Sequence, residues 1–81
     1  MNVKVRLFAA ARQWAESDSL TVHCPEDATL VDLRQAIERD FPGSAALLPH
    51  IRFAVNARYV SEEYQLKPGD EVACIPPVSG G

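Results

Sequence analysis

Cysteine, glycine and histidine are all scarce in this sequence, and each shortage closes off a class of function. Two cysteines, Cys24 and Cys74, in 81 residues are too few for a disulfide scaffold, which points to free thiols and a cytoplasmic setting. Both fall on apolar strand phases, where a buried inert thiol outweighs a nucleophile. The glycines stand at positions 43, 69, 80 and 81, so no G-x-x-x-x-G-K loop is present to cradle phosphates. His23 and His50 are isolated, and no metal site is expected from them. No run of Lys and Arg exists and the formal charge is −3, which argues against nucleic acid or an anionic membrane as partner. No apolar stretch approaches the roughly 18 residues needed to cross a bilayer. The N-terminus alternates charged with apolar residues, unlike a signal peptide. Glu26-Asp27 and Glu62-Glu63 fall in expected loops, where solvated surface is the default role. Repeats, linkers and low-complexity segments are missing too.

What is present suits one small α+β domain. Hydrophobic residues make up 47% and charged residues 23%, a balance that favours a packed core over disorder. A chain of this size buries only about 60% of its unfolded surface, so that core is small. Val3-Lys4-Val5-Arg6-Leu7 alternates with period two, with Val3, Val5 and Leu7 facing the core. Phe8 follows on the outward phase. Ala9 to Ala15 has good helix formers and predicts a short turn or helix, with Trp14 as a lid on the core. Leu20-Thr21-Val22-His23-Cys24 alternates again until Pro25 ends it. Thr29 and Asp32 fit a capping box, and Leu30, Leu33, Ile37 and Phe41 form one apolar stripe of a helix. Arg34, Gln35, Glu38 and Arg39 fill the rest of that helix and read as solvated surface. Pro42-Gly43 stops it, and one more turn is expected from Ala45 to Leu48. Ile51 to Val55 predicts a third strand, with Asn56-Ala57 or Ala57-Arg58 turning into Tyr59-Val60. Lys67-Pro68-Gly69-Asp70 is a turn signal, and Glu71 to Ile75 is the last strand. The order ββαβββ puts strands on one side and a helix across the other.

The final stretch, Pro76-Pro77-Val78-Ser79-Gly80-Gly81, is unlike the rest. Paired prolines fix φ and lack amide donors, so no sheet ladder continues through them. From Val78 to Gly81 the chain can reach about 13 Å, enough to enter another protein's active site. Gly80 and Gly81 place no Cβ at the tip, which lets the backbone pass a narrow slot. The distinctive chemical group is then the terminal carboxylate. A carboxylate repels nucleophiles and loses oxide reluctantly, so it must first become a mixed anhydride, for which adenylation by ATP is the standard chemistry. With no phosphate loop of its own, the chain needs a partner to bind ATP and bring the carboxylate in line with the α-phosphorus. The activated carbonyl then accepts either sulfur or a lysine amine, and the residues alone leave that choice open.

Gly69-Asp70-Glu71-Val72 followed by Pro76-Pro77-Val78-Ser79-Gly80-Gly81 resembles the small, sulfur-carrying subunit of molybdopterin synthase, the MoaD family. The likeness extends over the first strand running into Phe8-Ala9, the capped helix from Thr29, and Val55-Asn56 before a short strand. It implies a ubiquitin-like β-grasp fold, a mixed sheet packed on one main helix, with the domain over residues 1–75 and an extended diglycine tail over 76–81. It implies that an E1-like adenylyltransferase (MoeB type) adenylates Gly81 and that a sulfur donor protein converts it to a thiocarboxylate. Sulfur then passes to cyclic pyranopterin monophosphate inside the large synthase subunit (MoaE type), in a heterotetramer. This chain binds no cofactor in that scheme. ATP belongs to the activating partner, and the chain is a sulfur-donating subunit with no active site of its own. Gly80 gives the tail access, and docking is expected through Phe8, Tyr59, Val60 and Ile75 beside Pro76, Pro77, Val78 and Ser79. Where many family members have aromatic residues before the prolines, this chain has Cys74 and Ile75. The alternatives are a ThiS-like carrier of thiamine biosynthesis, a protein modifier of the Urm1 or archaeal type, and a β-grasp module with an inert tail.

Overall fold

The computed structural model describes residues 1–8 and 10–76, with Ala10 and Trp14 described by backbone alone. The expectations for Pro77 to Gly81 and for the Trp14 lid lie outside these described residues. Seven elements follow in order: β1 (Asn2–Leu7), α1 (Ala10–Ala15), β2 (Ser19–His23), α2 (Leu30–Asp40), β3 (Arg52–Val55), β4 (Arg58–Tyr59) and β5 (Val72–Ile75). The strands form one five-stranded sheet in the order β2-β1-β5-β3-β4. β1 runs parallel to β5, and the other neighbours are antiparallel. The sheet is therefore mixed, as expected.

Period-two patterning sets which side of the sheet is buried. In β1 Val3, Val5 and Leu7 are buried and Asn2, Lys4 and Arg6 are exposed. The register places Val5 against Val72 and Leu7 against Cys74. Val72 and Cys74 in turn face Val55 and Phe53, so one continuous apolar layer forms across three strands. Leu30, Leu33, Ala36 and Ile37 of α2 close over it, and Leu48, Ile51 and Leu66 complete the core.

The helix starts where the sequence places it. The Thr29 side chain accepts from the Asp32 amide while the Asp32 carboxylate accepts from the Thr29 amide at 2.9 Å, so two orphan donors of the first turn are satisfied. Phe41 caps the other end, its amide donating to Ile37 O at 2.7 Å.

The segment after the helix departs from expectation. Instead of one turn over Ala45 to Leu48, two short 3₁₀ turns form at Pro42–Ser44 and Leu48–His50. Each has a proline in its first residues, where a missing amide costs nothing. Pro49 thus lies inside a turn rather than ending one. Buried Ser44 donates its hydroxyl to Phe41 O at 2.6 Å, which satisfies it locally.

Arg34 also departs. It is not solvated surface: its Nη1 donates to Leu48 O at 2.6 Å, its Nη2 donates to Ile51 O, and its side chain is only 23% exposed. The guanidinium lies 4.7 Å from the Phe53 ring centroid and pairs with Glu62. One charged fork therefore ties the helix to the chain leading into β3.

Two turns fix the far end of the sheet. Pro68 and Gly69 form a tight turn in which Gly69 adopts φ +89° and the Asp70 amide returns to Lys67 O at 3.1 Å, geometry that favours glycine. Between β3 and β4, Asn56 and Ala57 both have positive φ, 51° and 67°, as a two-residue hairpin requires. The Asn56 side chain donates to Asp70 at 3.0 Å and accepts from the Glu71 amide at 3.0 Å. Asp70 also accepts from the Tyr64 hydroxyl at 3.1 Å and the Lys67 amide at 2.9 Å. Burial opposes a charge on Asp70, yet the Lys67, Asn56 and Tyr64 donors outweigh it and hold the carboxyl below its ordinary range. This network locks the β3–β4 hairpin against the start of β5.

Candidate docking face at the root of the tail

The side of the sheet away from the helix is where the outward-phase residues meet. Register pairs Arg6 with Ala73, Ala73 with Ala54, Ala54 with Tyr59, and Arg52 with Ile75. All of these alternate with buried partners, so they share the outer face. Leu7 lies opposite Cys74, which brings Phe8, the next residue, level with Ile75 at the end of β5. The chain leaves the sheet at that end, through Pro76.

Phe8 is 41% exposed and Tyr59 is 54% exposed, and neither position is the work of chance in local geometry. Arg6 holds its guanidinium 5.7 Å from the Phe8 centroid, and Arg52 sits 4.1 Å from the Tyr59 centroid, within cation–π range. The hairpin carrying Tyr59 is held in turn by the Asn56–Asp70 network. Ile75 and Ala73 are half-buried and Ala54 is buried, giving an apolar floor between the two rings. Val60 is half-buried and packs against the core, one residue past β4. Pro76 is buried. Pro77, Val78, Ser79, Gly80 and Gly81 lie outside the described residues.

Sequence reasoning named Phe8, Tyr59 and Ile75 and turned Arg6 outward, as found, but did not join Arg6 to them and missed Arg52, Ala54 and Ala73 as members of the same face. The outward phase of the strands was the available signal: a small residue on that phase of a central strand, twice over, leaves room for a neighbouring ring.

Both thiols are buried. Burial pushes the Cys24 thiol up and the Cys74 thiol up to about 11, with Arg34 only partly offsetting it, so neither is a ready thiolate at neutral pH. For Cys74 the folded state favours the neutral thiol. That preference stabilises the fold fully below the unfolded thiol's pKa of 9.0 and is lost as pH rises toward about 11. Iodoacetamide at neutral pH is accordingly expected to leave Cys74 unmodified in the folded chain and to label it after denaturation. Labelling at equal rates in both states would show that the thiol is open to solvent. Among the described residues no group of His, Cys, Asp and Glu is placed to hold a metal ion, and no helix is long and apolar enough to cross a membrane.

A family model described as the ThiS family matches residues 5–81. The molybdopterin synthase sulfur carrier subunit of Homo sapiens is 39% identical over 82 residues, covering 98% of this chain and 93% of that protein. Among solved structures, SAMP1 from Haloferax volcanii superposes with a TM-score of 0.86 at 29% identity, covering 100% of both chains. A chain from the complex of subunits 1 and 2 of molybdopterin-converting factor from Helicobacter pylori gives a TM-score of 0.70 at 28% identity, again over 100% of both chains. The mixed sheet on one main helix is thus the ubiquitin-like β-grasp that the sequence implied. The chain belongs to the ThiS family, and within it to the family of the molybdopterin synthase sulfur carrier subunits.

Proposed function

We propose that this chain is a sulfur carrier of molybdenum cofactor biosynthesis, the small subunit of a molybdopterin synthase. The observation that carries this reading is 39% identity to a molybdopterin synthase sulfur carrier subunit over 98% of the chain, in a sequence that carries the pair Gly80-Gly81. The Gly81 carboxylate attacks the α-phosphorus of ATP held by an E1-like adenylyltransferase, and pyrophosphate leaves. A sulfide equivalent from a sulfur donor protein then adds to the carbonyl, AMP departs and the thiocarboxylate remains, its proton passing to solvent. The large subunit takes the charged tail and passes sulfur to cyclic pyranopterin monophosphate. A pairing of subunits 1 and 2 in the Helicobacter pylori relative supports such a partner. The chain works in the cytoplasm, binds no cofactor itself and contributes the reacting terminus rather than an active site.

Incubation with the adenylyltransferase, ATP and sulfide should change the intact mass by one oxygen-for-sulfur exchange. High-mass adducts on other proteins, with no such exchange, would instead identify a modifier of the kind represented by SAMP1.

Docking uses Phe8, Tyr59 and Ile75 on the outer face, with Val60 beside them and Pro76 to Ser79 leading the tail into the partner. Phe8→Ala is expected to weaken binding to the large subunit by about tenfold, since an exposed ring at an interface centre carries 1–2 kcal/mol or more, roughly, of binding energy. Its melting temperature should move little, because the ring is already 41% exposed. A collapse in stability with unchanged affinity would place Phe8 in the core instead.

A further inference from the structure

The charges of this molecule are unevenly matched. Acidic residues outnumber Lys and Arg, 11 against 8, yet the ion pairs among the described side chains use only Arg12, Arg34 and Arg39 of the arginines. Arg6, Arg52 and Arg58 enter none of them. Arg58 lies opposite Val55, toward the other end of the sheet, whereas Arg6 and Arg52 lie over aromatic rings on the outer face; exposed Lys4 shares that face two residues from Arg6. Stacking on a ring leaves the edge of a guanidinium and its N–H donors free to point at an incoming group. Arg52 is level with Ile75 in register and Phe8 is at the same corner, so Arg6 and Arg52 flank the place where the chain leaves the sheet, while Lys4 lies back toward Asp70 and Glu71.

We propose that Arg6 and Arg52 determine which surface this face accepts: an apolar patch rimmed by Asp or Glu carboxylates around the slot that receives the tail, on the large synthase subunit. The inference rests on the carrier reading above and adds the chemistry of its partner. On a chain with net charge −3, two arginines on one face at the tail corner orient the approach, so that the tail root meets the partner first. The rings supply apolar area, and the arginines hold them while offering bidentate donors to the rim carboxylates. A partner without those carboxylates would bury unpaired guanidinium groups, a cost that discriminates against it.

The test uses the full chain and the large subunit, with association followed by stopped-flow from about 50 mM to about 500 mM NaCl, a range over which screening of exposed charges becomes nearly complete. Arg52→Glu should slow association by about tenfold or more at the lowest salt, with the difference shrinking as salt rises. Arg39→Glu changes net charge equally, but its side chain is on α2, paired with Asp40, and it should slow association by only about two- to threefold. Arg6→Glu provides a second variant on a separate strand should Arg52→Glu fold poorly. Equal slowing by the face and helix variants, or a difference indifferent to salt, would overturn the inference while leaving the carrier reading standing. Failure of the wild-type chain to bind the large subunit at all would overturn both.

Discussion

Removing Gly81 will abolish sulfur transfer, reducing product to the level of a reaction with no carrier, while the melting temperature stays within about 2 °C of the intact chain. Under the proposed function the loss is total, because the reacting carbonyl is assigned to that residue. A shortened chain ends in the Gly80 carboxylate, about 3.3–3.6 Å short of the adenylation site. Near-attack geometry requires the reacting atoms about 3–3.5 Å apart, so a deficit of one residue is as large as the whole contact distance. Adding one alanine after Gly81 should do the same damage by a different route, placing a Cβ where the slot admits only backbone. Stability is untouched because, among the described residues, the sheet pairing nearest the C-terminus is Arg52 with Ile75 and the core cluster extends to Cys74, several residues before Gly81. Intact mass spectrometry after the loading reaction reads the outcome. Thiocarboxylate formation on the truncated chain, followed by normal product yield, would defeat the proposed function.

Replacing Arg34 with alanine should be the most damaging single change to stability outside the apolar core, at about 2–3 kcal/mol. Its guanidinium serves the carbonyls of Leu48 and Ile51 together, and both residues are at most 5% exposed. Hydrogen bonds from a charged donor contribute about 1.5–3 kcal/mol, and a carbonyl left without a donor in a buried site carries a further penalty. Contact with the Phe53 ring is lost as well. For a domain of this size each kcal/mol moves the melting temperature by about 4–8 °C, so a fall of about 10–20 °C is expected by calorimetry. Arg34→Lys should recover only part of it, because an ammonium cannot span two carbonyls and stack on the ring at once. A fall under about 2 °C for the alanine variant would show that the 3₁₀ turns stand without it.

Arg34 also shows where sequence patterning stops. The stripe Leu30, Leu33, Ile37 and the Thr29–Asp32 box depend on residues within a few positions of one another, so their roles are legible in a local window. Arg34 occupies the polar side of the same helix and becomes half-buried only because residues 48–51 fold across it, fourteen and more positions away. Nothing near it in the chain signals that. The docking face divides the same way. Strand phase points Phe8, Tyr59 and Ile75 outward, but the stacking of Arg52 on Tyr59 joins two strands across a hairpin, and the meeting of Arg6 with β5 depends on a parallel pairing. For the tail the relation reverses: its chemistry is read from Pro76-Pro77 and Gly80-Gly81 as residue types, and the fold contributes the corner from which it departs.

The parallel pairing of Val5 with Val72 at the middle of the sheet carries a consequence for biogenesis. During translation β1 is made early and must wait for β5, the last strand of the sheet in chain order, so the core closes only after β5 is available. Polypeptides interrupted before Val72 are left with two unfilled strand edges, prey to proteases.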